Sequence, residues 1–112
     1  LFSEGVSKNR ISLERFVELT STNPAKMYGM YPKKGAIKIG SDADLTIWDP
    51  NLKKTIKQEN LNHGSDYTPY EGLELTGYPV QTWLRGKCVF KNGTFSSTNN
   101  NGEYINRDYC AL

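Results

Sequence analysis

The chain has 112 residues, 37% of them hydrophobic, with fourteen basic and twelve acidic side chains and a formal charge of +2. So small a charge implies neither a nucleic-acid partner nor an anionic membrane, and none is expected; no stretch approaches the ~18–20 apolar residues of a membrane span. Counted with glycine and without tyrosine, the apolar share is about 39%, against about 45–50% for typical globular chains, so a lean single core is expected.

The opening third predicts helix. Ser12 suits an N-cap, Glu14 suits the positive end of the helix dipole, and Leu13, Phe16, Val17 and Thr20 recur at helical spacing as one apolar stripe. Pro24 disfavours a helical conformation at Asn23 and lacks a backbone donor, so the first helix should stop there. Asn23-Pro24 then predicts the cap and first position of a second short helix, closed by a left-handed Gly29.

From Tyr31 the texture changes. Ile37 and Ile39 alternate with Lys38 as in a short half-buried strand. The run Asp44-Leu45-Thr46-Ile47-Trp48-Asp49 predicts a better strand, closed at Asp49-Pro50, and Lys54 to Lys57 predicts a polar strand near an edge. Residues 59–78 read as a long loop packed by Tyr67, Tyr70 and Tyr78. Val80 to Leu84 and Lys87 to Phe90 form a hairpin about Arg85-Gly86, and Asn92-Gly93 marks another tight turn before Thr94-Phe95. Beyond it, residues 96–112 are a polar tail expected to be mobile, with Tyr104, Ile105 and Tyr109 available to dock its end.

Candidate chemistry is sparse. His63 is the one histidine, and a single imidazole cannot build a zinc site, so it reads as structural or surface. Ser65, His63 and Asp66 have the residue types of a nucleophilic triad, but such triads are assembled from separated parts of a fold. Asp42-Ala43-Asp44 lacks the further ligands of a calcium loop, and Asp42 is expected to bond turn amides. The glycines form no phosphate-cradling loop. The pairs Lys33-Lys34 and Lys53-Lys54 read as solvated surface. Cys88 and Cys110 lack the spacing of a metal knuckle or disulfide framework, so a reducing, cytoplasmic compartment is expected. The opening Leu1-Phe2-Ser3 has neither an initiator methionine nor a signal-peptide pattern, which is expected of a piece of something longer.

Three stretches are more specific. Thr22 to Gly29, then Lys34 to Leu45, ending in Asp49, resembles the C-terminal signature of the amidohydrolase superfamily. Asp66-Tyr67-Thr68-Pro69-Tyr70-Glu71-Gly72 is similar to bacterial hydantoinases and dihydropyrimidinases. Gly77-Tyr78-Pro79-Val80, Arg85-Gly86-Lys87 and the opening residues fit the same subfamily, so the resemblance runs from residue 1 to about residue 95.

That resemblance implies an α+β segment. Two short N-terminal helices, residues 1–33, would end a metal-dependent α/β barrel. Strands in residues 34–95 would belong to a small composite β-sandwich domain, followed by the tail 96–112. The complete relative would open the ring amide of dihydropyrimidines or hydantoins, using two zinc ions bridged by a carboxylated lysine and a hydroxide. None of its catalytic, substrate-binding or metal-ligating residues matches a position here. Asn23, Pro24, Lys34, Gly35, Asp42 and Asp44 match signature positions that read as structural. The implied partners are the remainder of the same chain and further copies of the parent, commonly a tetramer, with no nucleic acid or membrane.

Two other readings compete. One is a non-enzymatic scaffold relative that keeps the fold without the metal ligands. The other is an independent small binding module, disfavoured because a half-sandwich leaves strand edges and apolar faces uncovered.

Overall fold

A computed structural model describes residues 1–96 and 102–110. Its helical part begins with α1, Phe2–Gly5, and α2, Leu13–Val17. Ser12 is extended and its hydroxyl accepts the Arg15 amide hydrogen at 3.2 Å, which makes it the expected cap. A second stretch, α3, spans Asn23–Met27, and Gly29 follows in the left-handed conformation at φ +64°.

The junction between α2 and α3 differs from expectation. Asn23 is helical (φ −66°, ψ −45°) rather than an extended cap, and Glu18–Thr22 forms a π-helical turn that carries the path through. The Asn23 N–H reaches back five residues to the Glu18 carbonyl. In a regular α-helix a proline ring collides with the carbonyl four residues earlier. A π-turn ahead of Pro24 replaces that regular geometry, and the helical path continues through the proline into α3.

The sheet is an antiparallel meander in the order β1-β2-β3-β4, comprising Leu45–Thr55, Glu74–Leu84, Lys87–Lys91 and Thr94–Phe95. The strand expected to close at Asp49-Pro50 continues instead through Thr55, absorbing the start of the expected polar strand. A register shift between Asp49 and Lys53 makes this possible. Proline cannot donate to a ladder, but it is tolerated in such an irregularity. There the Asp49 carboxylate accepts the amides of Asn51 and Leu52 at 2.9 and 3.2 Å, replacing lost ladder bonds.

Both short turns form as expected. Arg85-Gly86 and Asn92-Gly93 take positive φ at both central residues, the geometry that matches strand twist. The long loop is shorter than expected, because Gln58–Asn60 is a 3-10 turn and β2 begins at Glu74. Tyr67 and Tyr70 do not pack it, since both are exposed. Gln58 does, through its amide nitrogen to the Ser65 carbonyl (2.8 Å) and its backbone N–H to the Glu71 carboxylate (2.7 Å).

Ile37 and Ile39 form no strand, and their exposures of 90% and 104% leave them facing water. A strand needs a partner ladder, and no described strand lies beside them.

Helices and sheet meet at an aromatic cluster. The Phe2 ring stacks on Trp48 at 4.8 Å, and Phe16 meets both edge-on at 5.2 and 5.4 Å. The buried Ser3 hydroxyl accepts the Thr76 amide of β2 at 3.0 Å, and Ser7 donates to the Thr76 carbonyl at 2.8 Å. Besides Phe2 and Phe16, only Ala25 is a buried hydrophobic side chain among the described residues. The expected lean core is leaner still.

The expected mobility of the tail falls mainly on residues 97–101, which lie outside the described residues. Residues 102–110 return to the helices through backbone, the Asp108 N–H donating to the Gly29 carbonyl at 2.8 Å. Of the three residues expected to dock the end, Tyr104 and Tyr109 stand exposed and Ile105 is half-buried.

Candidate functional site

The densest charged cluster gathers around Lys34. Its ammonium lies 2.8 Å from the Asp42 carboxylate and also bonds Asp44, while Lys33 reaches the other Asp42 oxygen at 3.1 Å. Only 15% of the Lys34 side chain and 16% of the Asp42 side chain meet solvent. The reading of Lys33-Lys34 as solvated surface therefore holds for Lys33 alone. Lys54 also departs from it, standing 4.3 Å over the Tyr78 ring in a cation–π contact.

Asp42 does not bond turn amides. Its carboxylate is taken by the two lysines, and the amide-binding role falls to Asp44, which accepts the Arg85 N–H at 2.8 Å. Next to it the Gly86 N–H donates to the Ala43 carbonyl at 3.0 Å. One cluster thus ties the loop after α3, the entry to β1 and the β2–β3 turn. Gly35 completes the connection to the helices. It accepts the Thr22 hydroxyl at 3.0 Å, and a Cβ on it would stand 2.5 Å from that of Ala25, so the loop lies closer to α3 than any side chain permits. Asn23 and Pro24 lie apart from the charged group, within the helical path. The sequence marks Arg85 as a turn residue and Thr22 as the start of a signature stretch, but not their bonds to Asp44 and Gly35; Arg85 is reached through its backbone amide, which leaves no trace in residue type.

The electrostatics make the cluster a clamp. Hydrogen bonds from Lys34 and then Lys33 hold the Asp42 carboxyl below its usual range. Burial pushes Asp44 up, but the Lys34 hydrogen bond and the Arg85 amide outweigh it and lower that carboxyl too. Burial likewise opposes the Lys34 charge, and the bonds to Asp42 and Asp44 prevail, raising its titration above the usual lysine value. An amine kept cationic is neither a nucleophile nor able to take up carbon dioxide as a carbamate, so Lys34 is unsuited to bridging metals.

The remaining candidates stay apart. The His63 Nδ1 accepts the backbone amide of Ser65 at 3.1 Å, not a hydroxyl, and the Ser65 hydroxyl accepts the Tyr67 amide at 3.4 Å. No group of three or more His, Cys, Asp or Glu among the described residues could hold a metal ion. The donor set of the described residues does not fit a zinc pair.

Beside the clamp lies an open apolar cleft of about 920 Å³, lined by Leu13, Phe16, Val17, Ala36, Leu45 and Trp48 among others. The stripe expected on the first helix thus borders a hollow, with only Phe16 buried. No described helix is long and apolar enough to cross a membrane.

A short helical path and a four-stranded antiparallel meander, tied together by Lys34, Asp42 and Asp44, are the features that place the chain in a class. The chain belongs to the amidohydrolase family, whose model matches residues 2–89. Within that class it is 45% identical over 107 residues to the D-hydantoinase of Geobacillus stearothermophilus, covering 96% of this chain and 23% of that protein. Identity to the D-hydantoinase of Rhizobium radiobacter is 42% over 104 residues, with coverage of 93% and 23%. The solved dihydropyrimidinase of Brevibacillus agri NCHU1002 matches with a TM-score of 0.95 at 43% identity, covering 100% of this chain and 24% of that one. The chain therefore spans about a quarter of the length of these relatives.

Proposed function

We propose that these residues are the C-terminal structural portion of a cyclic-amide hydrolase of the dihydropyrimidinase and hydantoinase type. Residues 1–33 close its barrel, residues 34–95 complete its small β-domain, and the chain is inactive alone. The observation that carries this reading is the 45% identity to a D-hydantoinase along 96% of the chain. The pair of zinc ions, the residues that hold them and the substrate pocket belong to the rest of the polypeptide. The parent is a cytoplasmic homo-oligomer, a tetramer by resemblance.

Two physical features support a part rather than a whole. A compact monomer of 112 residues exposes about 6,200 Å², whereas this chain exposes 8482 Å². Its radius of gyration is 15.6 Å, where about 13 Å is typical near this length. The surplus surface includes the apolar cleft and the two bare isoleucines, which the remainder of the chain would cover.

The test is an assay of the complete, metal-replete polypeptide on dihydrouracil and 5-substituted hydantoins, beside residues 1–112 alone. Ring opening by the former and none by the latter is expected. No turnover of either substrate class by the complete polypeptide would remove the enzyme assignment and favour a non-catalytic scaffold. Stoichiometric zinc on residues 1–112 would overturn the placement of the metals elsewhere.

A further inference from the structure

We infer that residues 102–110 form a strap that ties the β2–β3 turn to the end of α3 within one chain, and that Gly29 is the residue that admits it. The strap has two anchors. Glu103 stands 3.4 Å from the Arg85 guanidinium at the hairpin turn, and the Asp108 N–H donates to the Gly29 carbonyl at 2.8 Å. The five-residue step between them reaches at most about 18 Å when extended.

The second anchor is steric. A Cβ on Gly29 would overlap the Asp108 carbonyl, standing 2.6 Å from its carbon and 2.9 Å from the Asp108 nitrogen. Both obstructing groups are backbone and cannot swing aside as a flexible side chain can. Glycine is thus required twice, for its left-handed φ and for the absence of a side chain where the tail lies. Around this point Met27 and Tyr28 face Tyr104, Asn106 and Arg107 across a shallow hollow of about 430 Å³. At this second anchor the tail is held by main-chain contact, with its tyrosines left in water.

The strap joins two elements that the Lys34 clamp also joins. It is a second tie in parallel with the first, and one that salt screens less at its backbone anchor.

Amide hydrogen exchange on the complete polypeptide tests this. The Asp108 amide should exchange at least about tenfold slower than in an unstructured peptide, as a hydrogen-bonded backbone group does. Gly29→Ala should abolish that protection. Gly40→Ala should preserve it, because Gly40 is also left-handed (φ +91°) yet a Cβ there meets nothing. Should Gly29→Ala not fold, Asp108→Pro removes the donor without touching the helix and should speed chymotryptic cleavage after Tyr104 relative to the unaltered protein, and an unchanged cleavage rate would overturn the strap. Peptide-like exchange at Asp108 in the unaltered protein, or undiminished protection in Gly29→Ala, would overturn the strap. Protection lost in step with subunit dissociation on dilution would overturn its placement within one chain.

Discussion

Lys34 has a decisive position because two carboxylates depend on it at once. Replacing it with methionine keeps the stem that packs beside the cleft and removes the ammonium, leaving Asp44 with only the Arg85 amide among the hydrogen bonds described above. Loss of a charged partner from a partly buried group costs about 1–3 kcal/mol, so Lys34→Met in the complete polypeptide should unfold at lower temperature or denaturant. The pH dependence has a definite sign. Both carboxyls titrate lower when folded, so the unfolded chain binds more protons near pH 4 and stability rises with pH there. Their contribution is present above the ordinary carboxylate value of 3.8 and disappears as pH falls through the depressed folded values. Lys34 titrates higher when folded, so its contribution is present below 10.5 and is lost as pH rises through the raised value. Between those limits the gap between Lys34→Met and the unaltered protein should be flat, narrowing on acidification. A gap that stayed constant down to pH 2 would show that the clamp is not ionic.

At the scale of elements, short-range chemistry is what residue types reveal. The Ser12 cap involves a residue three positions away, and Ser12→Ala should cost about 1 kcal/mol while Ser12→Gly costs a few tenths. Equal losses for the two would mean that the hydroxyl bond contributes nothing. Arg85-Gly86 and Asn92-Gly93 are equally legible, because two residues set a tight turn. Longer-range arrangements were not. Pro24 predicts a stop unless the π-turn before it is known, and nothing in Glu18 to Thr22 announces one. Asp49-Pro50 predicts a strand end unless Asp49 is seen to cap two amides beyond it. The partners of Lys34 stand eight and ten residues away, and the amide bonded by Asp44 is 41 residues away, so family resemblance marked those positions while spacing did not. The Gly29 contact with Asp108 was invisible for the same reason: a glycine chosen for clearance looks like one chosen for a helix end.

Across the whole molecule, the balance between buried and exposed apolar surface governs behaviour. The aromatic cluster of Phe2, Phe16 and Trp48 holds helices to sheet, yet Leu13 and Val17 from the same stripe line an open cleft, and Ile37 and Ile39 project from an unpaired loop. Contiguous apolar surface of this kind is rare on stable monomers and drives association. Alternating isoleucines without a ladder partner also offer a segment able to pair with another chain. Residues 1–112 produced alone should therefore self-associate at micromolar concentration and unfold with a broad transition, because a lean core supplies little cooperativity. Within the complete polypeptide the same segment should unfold with its surroundings. Sedimentation velocity across a concentration series, together with amide NMR, decides between the two states. A monomer with dispersed resonances and a sharp unfolding transition would mean that the cleft and isoleucines are tolerated in water, and that the independent-module reading explains this chain better than a dependent part does.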